Sequence, residues 1–187
     1  MRRLIRELIL PLMVAFGLAF VIQSAVAKPY EIPTPSMDPT IRPNDRIIAN
    51  RLIYRFRDIE RGDIIVFTPT EAARRSCNDS PAGVPFVKRV IGLPGDRVEI
   101  RRNGPTLVNG RPLQVHRVRP NDETKVFAPV PADHVLVLGD NRGQSCDSHL
   151  WEGDEPDPTT DPFVPVENVI GQAEVVYWPP NRVRFLD

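Results

Sequence analysis

The chain has no excess of charge of either sign: 24 lysine and arginine residues balance 24 aspartate and glutamate residues over 187 positions. A nucleic-acid partner leaves a basic excess, so none is expected. Histidine is limited to His116, His134 and His149, scattered and without Glu-x-x-His spacing. Cysteine is limited to Cys77 and Cys146, too few for a four-thiolate site and at a spacing that fits no zinc motif. No metal and no cofactor are expected. No repeat of solenoid period is present, so the chain is not a stacked array.

Proline, by contrast, is plentiful at 21 residues. It lacks the backbone donor that helix interiors and central strands need. Helix should therefore be scarce, except in one place. Leu8 to Ala27 is a run of 20 residues without a charge. As a helix at ~1.5 Å per residue it spans ~30 Å, the thickness of a bilayer core. Arg2, Arg3 and Arg6 precede it and only Lys28 follows closely. The positive-inside rule then gives a cytoplasmic tail at 1–7, a transmembrane helix at 8–27 and an exported domain at 28–187. A second reading fits the same residues. A basic start, an apolar run and Ala25-Val26-Ala27 are also the layout of a cleavable signal peptide. The run exceeds the usual ~7–15 residue core of such peptides, which favours a retained anchor.

Beyond the run, short stretches rich in β-branched residues alternate with turn signals. Residues 46–50, 63–67, 86–91, 97–101, 134–138, 168–177 and 183–186 read as strands, and Asn103-Gly104 and Asn109-Gly110 read as hairpin turn signals, with 111–118 completing that meander. Residues 29–45 read as an irregular lead-in, 69–85 and 119–133 as loops, and 152–165 as an acidic, proline-rich exposed loop. The fold class is mostly β: one antiparallel domain behind one N-terminal helix.

Two residues stand out in this frame. Ser36 lies in Ile32-Pro33-Thr34-Pro35-Ser36-Met37-Asp38-Pro39-Thr40, a rigid loop that fixes one hydroxyl. Lys88 lies in the strand Phe86-Val87-Lys88-Arg89-Val90-Ile91, on the same face as Phe86 and Val90. Burial disfavours its charged form, and a neutral amine can take a proton from a serine hydroxyl. Taken singly, a turn serine and an edge-strand lysine that deters aggregation explain the same residues.

Four stretches, in order, resemble the type I signal peptidase (leader peptidase) family. They are Pro35-Ser36-Met37-Asp38-Pro39-Thr40, Arg61-Gly62-Asp63-Ile64-Ile65-Val66-Phe67, Val87-Lys88-Arg89-Val90-Ile91-Gly92-Leu93-Pro94-Gly95-Asp96, and Gly139-Asp140-Asn141-Arg142-Gly143-Gln144-Ser145-Cys146-Asp147-Ser148. The resemblance implies a Ser–Lys endopeptidase that removes signal peptides from exported preproteins. It implies a single-pass membrane protein, bacterial-type or of an organelle, with the catalytic domain on the outer face and the lipid bilayer as partner. Ser36 is implied as nucleophile and Lys88 as general base. The Ser36 N–H and the Thr34 hydroxyl are implied as oxyanion donors, and Ser145 as the residue orienting the amine. Asp147 is implied to brace the site against Arg89 or Arg142, and His149 to be structural. Small side chains at −1 and −3 from the cut are implied to lie among Ile32, Met37, Ile41, Phe86 and Val87.

For Cys77 and Cys146 two readings stand: a disulfide formed in an oxidising compartment, or two unpaired thiols. The chain departs from the family after Ser148, where residues 152–163 look like an acidic insertion. Two other functions fit parts of the sequence. A self-cleaving repressor-type Ser–Lys peptidase needs a DNA-binding N-terminus where the apolar run stands. A β domain used for binding gives no reason for Lys88 among apolar neighbours.

Overall fold

Extended chain dominates, as the proline content dictates. The computed structural model describes residues 9–77, 83–115, 118–151 and 162–186. The expected tail 1–7, His116 and most of the acidic insertion lie outside these residues. Helix α1 (Leu10–Val26) has 17 residues, and Leu10, Leu12, Met13, Val14 and Phe16 are exposed on it. No helix among the described residues is long and apolar enough to cross a membrane. The expected span starts at residue 8, outside them.

Helix α1 runs directly into β1 (Ala27–Glu31), which pairs antiparallel with β2 (Arg46–Asn50), from Ala27 opposite Asn50 to Glu31 opposite Arg46. The lead-in expected at 29–45 thus begins as strand. Pro29 is tolerated there because β1 is the outermost strand of its sheet. The remaining elements are β3 (Ile64–Phe67), α2 (Glu71–Ser76), β4 (Phe86–Gly92), β5 (Val98–Ile100), β6 (Leu107–Val108), β7 (Arg111–Pro112), β8 (Lys125–Val126), β9 (His134–Leu138), β10 (Val164–Pro165), β11 (Val169–Trp178) and β12 (Arg184–Phe185). The main sheet has the order β1-β2-β11-β3-β4-β9-β10, with β12 on β11, and a smaller sheet has the order β7-β6-β5-β8. All the pairings are antiparallel.

Three stretches expected as loops contain regular structure; in 152–165, expected to be exposed, Val164–Pro165 is β10, paired with β9, and Phe163 and Val164 are buried. In 69–85 the chain forms α2, because the Thr70 side chain caps it by accepting from the Ala73 N–H (3.2 Å) and Ala72 and Ala73 are buried. In 119–133 it forms β8, which pairs with β5.

The two faces of the main sheet bury different clusters. One holds Ile47, Ala49, Ile64, Val66, Ala173 and Val176 and receives Ile32, Met37 and Ile41 from the Ser36 loop. The other holds Ile65, Phe67, Val90, Val137 and Trp151. A third cluster, with Ile91, Val98, Ile100, Phe127 and Leu136, joins the main sheet to the smaller one.

Candidate active site

The Pro33 and Pro35 loop folds into a 3₁₀ turn, Pro35–Met37, closed by the Asp38 N–H donating to the Pro35 carbonyl (3.0 Å). Ser36 sits inside the turn, and the closing bond does not use its N–H. Asn141 pins the turn from outside through two bonds. The Asn141 backbone N–H donates to the Ser36 carbonyl (3.0 Å), and Asn141 Nδ2 donates to the Pro35 carbonyl (3.1 Å). Gly139 completes the fit: a Cβ there would collide with the Ser36 carbonyl and with Ser145 Oγ. Only glycine lets these segments come so close. Thr34 Oγ1 lies 3.3 Å from Ser36 Oγ, within hydrogen-bond distance.

Lys88 reaches the same place from β4. It pairs with Ile65 of β3 and is 5% exposed, its Nζ 5.9 Å from the centre of the Phe86 ring. It forms no salt bridge among the described residues. Burial pulls its pKa from 10.5 down to about 8, against the opposing pull of Asp147 and Asp140. Arg89, the next residue along β4, has the opposite fate. It pairs bidentately with Asp140, Nε and Nη2 each 2.8 Å from a carboxylate oxygen, and Asp140 also accepts from Thr40 Oγ1 (2.5 Å).

Ser36 and Lys88 line one cavity of 680 Å³. Thr34, Ile32, Met37, Phe86 and Val87 line it too. Ile41 does not: it is wholly buried in the core cluster of the first sheet face, so its expected pocket role is corrected. Tyr30, Val84 and Leu150, not anticipated from sequence, complete the apolar lining. The bonded pair Cys77–Cys146 forms part of the wall.

The supporting residues rearrange the expected partnerships. Asp147 braces neither Arg89 nor Arg142. Its Oδ2 accepts from the Gly139 N–H (2.7 Å), and its Oδ1 meets His149 Nδ1 (2.6 Å). Arg89 is paired with Asp140 instead, and Asp147 acts on Arg142 as a nearby charge. Arg142 bonds the Gly139 carbonyl (3.0 Å), Thr106 Oγ1 (2.5 Å) and Asn121 Oδ1 (2.8 Å). Burial works against charge on both members of the Asp147–His149 pair. Their mutual contact prevails, lowering the Asp147 pKa and raising that of His149. Ser145 Oγ is buried beside Gly139 and has no hydrogen-bond partner among the described residues, so a bond to the lysine amine is not formed. His134 bonds the Ala132 carbonyl on an exposed edge, away from the cavity. Asn141 was missed as an organising residue. His149, expected to be structural, meets Asp147, which lies two residues before it.

A hydroxyl in a fixed turn, an amine poised to be neutral near pH 8 and a small-donor loop make an apparatus suited to acyl transfer. A family profile described as signal peptidase, peptidase S26, matches residues 5–178.

The chain belongs to the signal peptidase family, peptidase S26.

It is a serine endopeptidase of the signal peptidase I kind. It is 44% identical to signal peptidase I of Leptolyngbya laminosa over 170 residues, 89% of this chain and 76% of that one. It is 34% identical to thylakoidal processing peptidase 1, chloroplastic, of Arabidopsis thaliana over 176 residues, 90% of this chain and 47% of that one. The crystal structure of a signal peptidase I from Enterococcus faecalis aligns at 28% identity over 62% of this chain and 97% of that one, with a TM-score of 0.44.

Proposed function

We propose that this peptidase cuts signal peptides from exported preproteins after Ala-x-Ala type sites, with Ser36 as nucleophile and Lys88 as general base. The observation that carries the reading is Lys88: a buried amine, without a salt bridge, lining the same cavity as a hydroxyl held in a rigid turn. In its neutral form Lys88 accepts the Ser36 Oγ proton as the oxygen attacks the scissile carbonyl. The Ser36 N–H and the Thr34 hydroxyl donate to the oxyanion. The ammonium of Lys88 then returns the proton to the leaving amine, and a water that gives a proton to the neutral amine attacks the acyl group, freeing the carboxylate as Ser36 Oγ takes the proton back. Thr34 Oγ1 rests on Ser36 Oγ, from which it can turn toward the oxyanion. Ser145 orients the amine once substrate closes the cavity, and its unspent hydroxyl supports that role.

Specificity follows from shape. Ile32, Met37, Phe86 and Val87 crowd the cavity beside Ser36, favouring small side chains at −1 and −3. Strand β9 covers β4 only from Arg89 onward, Arg89 lying opposite Leu138. Phe86 to Lys88 therefore have no β9 partner, and an extended substrate adds there as a strand. The apolar segment 8–27 anchors the enzyme in the bilayer, with 28–187 on the outer face. The exposed apolar side chains of α1 support this, since no protein surface among the described residues covers them. From Lys28 to Ser36 the chain reaches at most ~29 Å, which keeps the nucleophile near the membrane.

The test is substitution with purified protein and an Ala-x-Ala peptide. Ser36→Ala and Lys88→Ala abolish cleavage with circular dichroism unchanged. Lys88→Arg fails as well, because guanidinium does not give up its proton. Near-normal turnover in Lys88→Arg removes lysine as the base.

A further inference from the structure

Two wholly buried carboxylates, Asp147 and Asp140, act on the Lys88 amine. A buried ammonium beside a free carboxylate keeps its proton, and a lysine that keeps its proton is no base. Each carboxylate has a cation of its own. Asp140 is held bidentately by Arg89, and Asp147 is held by His149, which is 6% exposed. A guanidinium keeps its charge throughout, whereas an imidazole titrates near neutrality, so only the second pairing can be lost.

We propose that His149 is a positioning residue for the reaction: its imidazolium occupies Asp147 and so keeps that carboxylate from becoming the counterion of Lys88. The proposal rests on the reading of Lys88 as the base given above.

The geometry brings the pair to the site and fixes it there. Asp147 grips the Gly139 N–H, and a Cβ on Gly139 would collide with the Ser36 carbonyl and Ser145 Oγ. Asp147 Oδ1 takes both Nδ1 (2.6 Å) and the backbone N–H (3.3 Å) of His149, while Oδ2 takes the Gly139 N–H (2.7 Å). Ser148, between the two residues, is stitched to β9. Its N–H donates to the Val137 carbonyl (3.2 Å), and its Oγ accepts from the Val137 N–H (3.1 Å). Both oxygens of Asp147 are therefore spent, and the carboxylate cannot swing toward β4 without breaking these bonds.

The charges around His149 favour its cationic form. Asp147 meets its ring, and Glu123 and Asp122, from the segment before β8, add two more carboxylates. Lys125 of β8 is spent on the His149 carbonyl (2.5 Å). Burial opposes the charge, but the carboxylates outweigh it and raise the His149 pKa. The two guanidiniums of the same cluster do not replace it. Arg89 is committed to Asp140, and Arg142 to the Gly139 carbonyl, Thr106 and Asn121. Without the imidazolium, the pull of Asp147 falls on the two other cations it acts on, Lys88 and Arg142. Lys88 then holds its proton to higher pH and is neutral over less of the working range.

The experiment follows kcat/KM on an Ala-x-Ala peptide from about pH 6 to 10, with the full chain in detergent, for wild type, His149→Gln and His149→Arg. Glutamine keeps a donor for Asp147 and removes the charge; arginine keeps the charge. In His149→Gln the half-plateau should move up by at least about half a pH unit, and in His149→Arg it should stay at or below that of wild type. A brace of purely structural kind lowers the plateau and leaves the half-plateau in place; that result overturns the proposal. A second measurement changes nothing at His149. Coupling between two charges is reciprocal. In Lys88→Met the His149 ring, followed by NMR and assigned by its absence from His149→Gln, should titrate at higher pH than in wild type, because it no longer shares Asp147 with an ammonium. An unmoved His149 titration overturns the proposal alone, with Lys88 still the base if Lys88→Arg is inactive. Near-normal turnover in Lys88→Arg removes the base and this proposal with it.

Discussion

Lys88 links the activity of the enzyme to its stability through one titration. In the proposed mechanism only the neutral amine acts as base, so kcat/KM should rise with pH and reach half its plateau near pH 8, where burial has moved the pKa. A rate that is highest near pH 5 contradicts the mechanism. The same shift has a stability cost. The folded pKa lies below the unfolded one, so the unfolded chain binds more protons between about 8 and 10.5. The penalty is full below pH 8, on the order of 3 kcal/mol, and fades as pH rises to 10.5. Lys88→Met should therefore be inactive yet more stable than wild type at pH 7. Its advantage should shrink by pH 10, as read from urea midpoints at both pH values. Thr34 offers a second test at this scale. Thr34→Val should lower kcat by ~10²-fold with little change in KM, and Thr34→Ser should stay active. Equal kcat in wild type and Thr34→Val reduces Thr34 to a turn residue.

At the scale of elements, legibility depended on whether a segment's partners lie within it. Strand β4 was readable because β-branched residues and a period of two suffice to place Lys88 and Arg89 on opposite faces. The strands β2, β3, β9 and β11 were readable for the same reason. Helix α2 was not, since six residues are too few for a periodic signal and its stability comes from the Thr70 cap and from Ala72 and Ala73 packing below. In the smaller sheet the Asn109-Gly110 turn signal marked the hairpin of β6 and β7, but β8 was not readable, because its pairing with β5 is defined across the sheet. In the site, Ile32, Met37, Phe86 and Val87 could be placed near the cavity because they adjoin Ser36 or Lys88. Ile41 could not be told from core, and the Asp147–His149 pairing depends on Arg89 being occupied elsewhere, which no local pattern shows. The bond between Cys77, at the end of α2, and Cys146, next to Ser145, gives a prediction here. It closes a loop with a sequence separation of 69 residues, for which chain entropy allows up to about 4 kcal/mol. Cys77→Ala with Cys146→Ala should lower the unfolding free energy by no more than that and also reduce kcat, because both residues stand in the cavity wall. Unchanged kcat in the double variant confines the bond to stability.

For the molecule as a whole, the proposed topology puts the sheets outside and the N-terminus inside. Protease added to the outer face of sealed vesicles should degrade residues beyond Lys28 and spare an N-terminal tag; protection of the sheets reverses the orientation. The architecture also sets the order in which the enzyme comes into being. Strand β11 (Val169–Trp178), close to the C-terminus, lies between β2 and β3 and so joins the two parts of the main sheet that flank Ser36 and Lys88. Contacts of such sequence separation form late. A chain still emerging from synthesis or crossing a membrane has Ser36, Lys88 and Ser145 in hand but lacks the strand that holds their supports together. The protease is therefore silent throughout its own export, and its first opportunity to cut arrives only when its last long strand has closed the sheet.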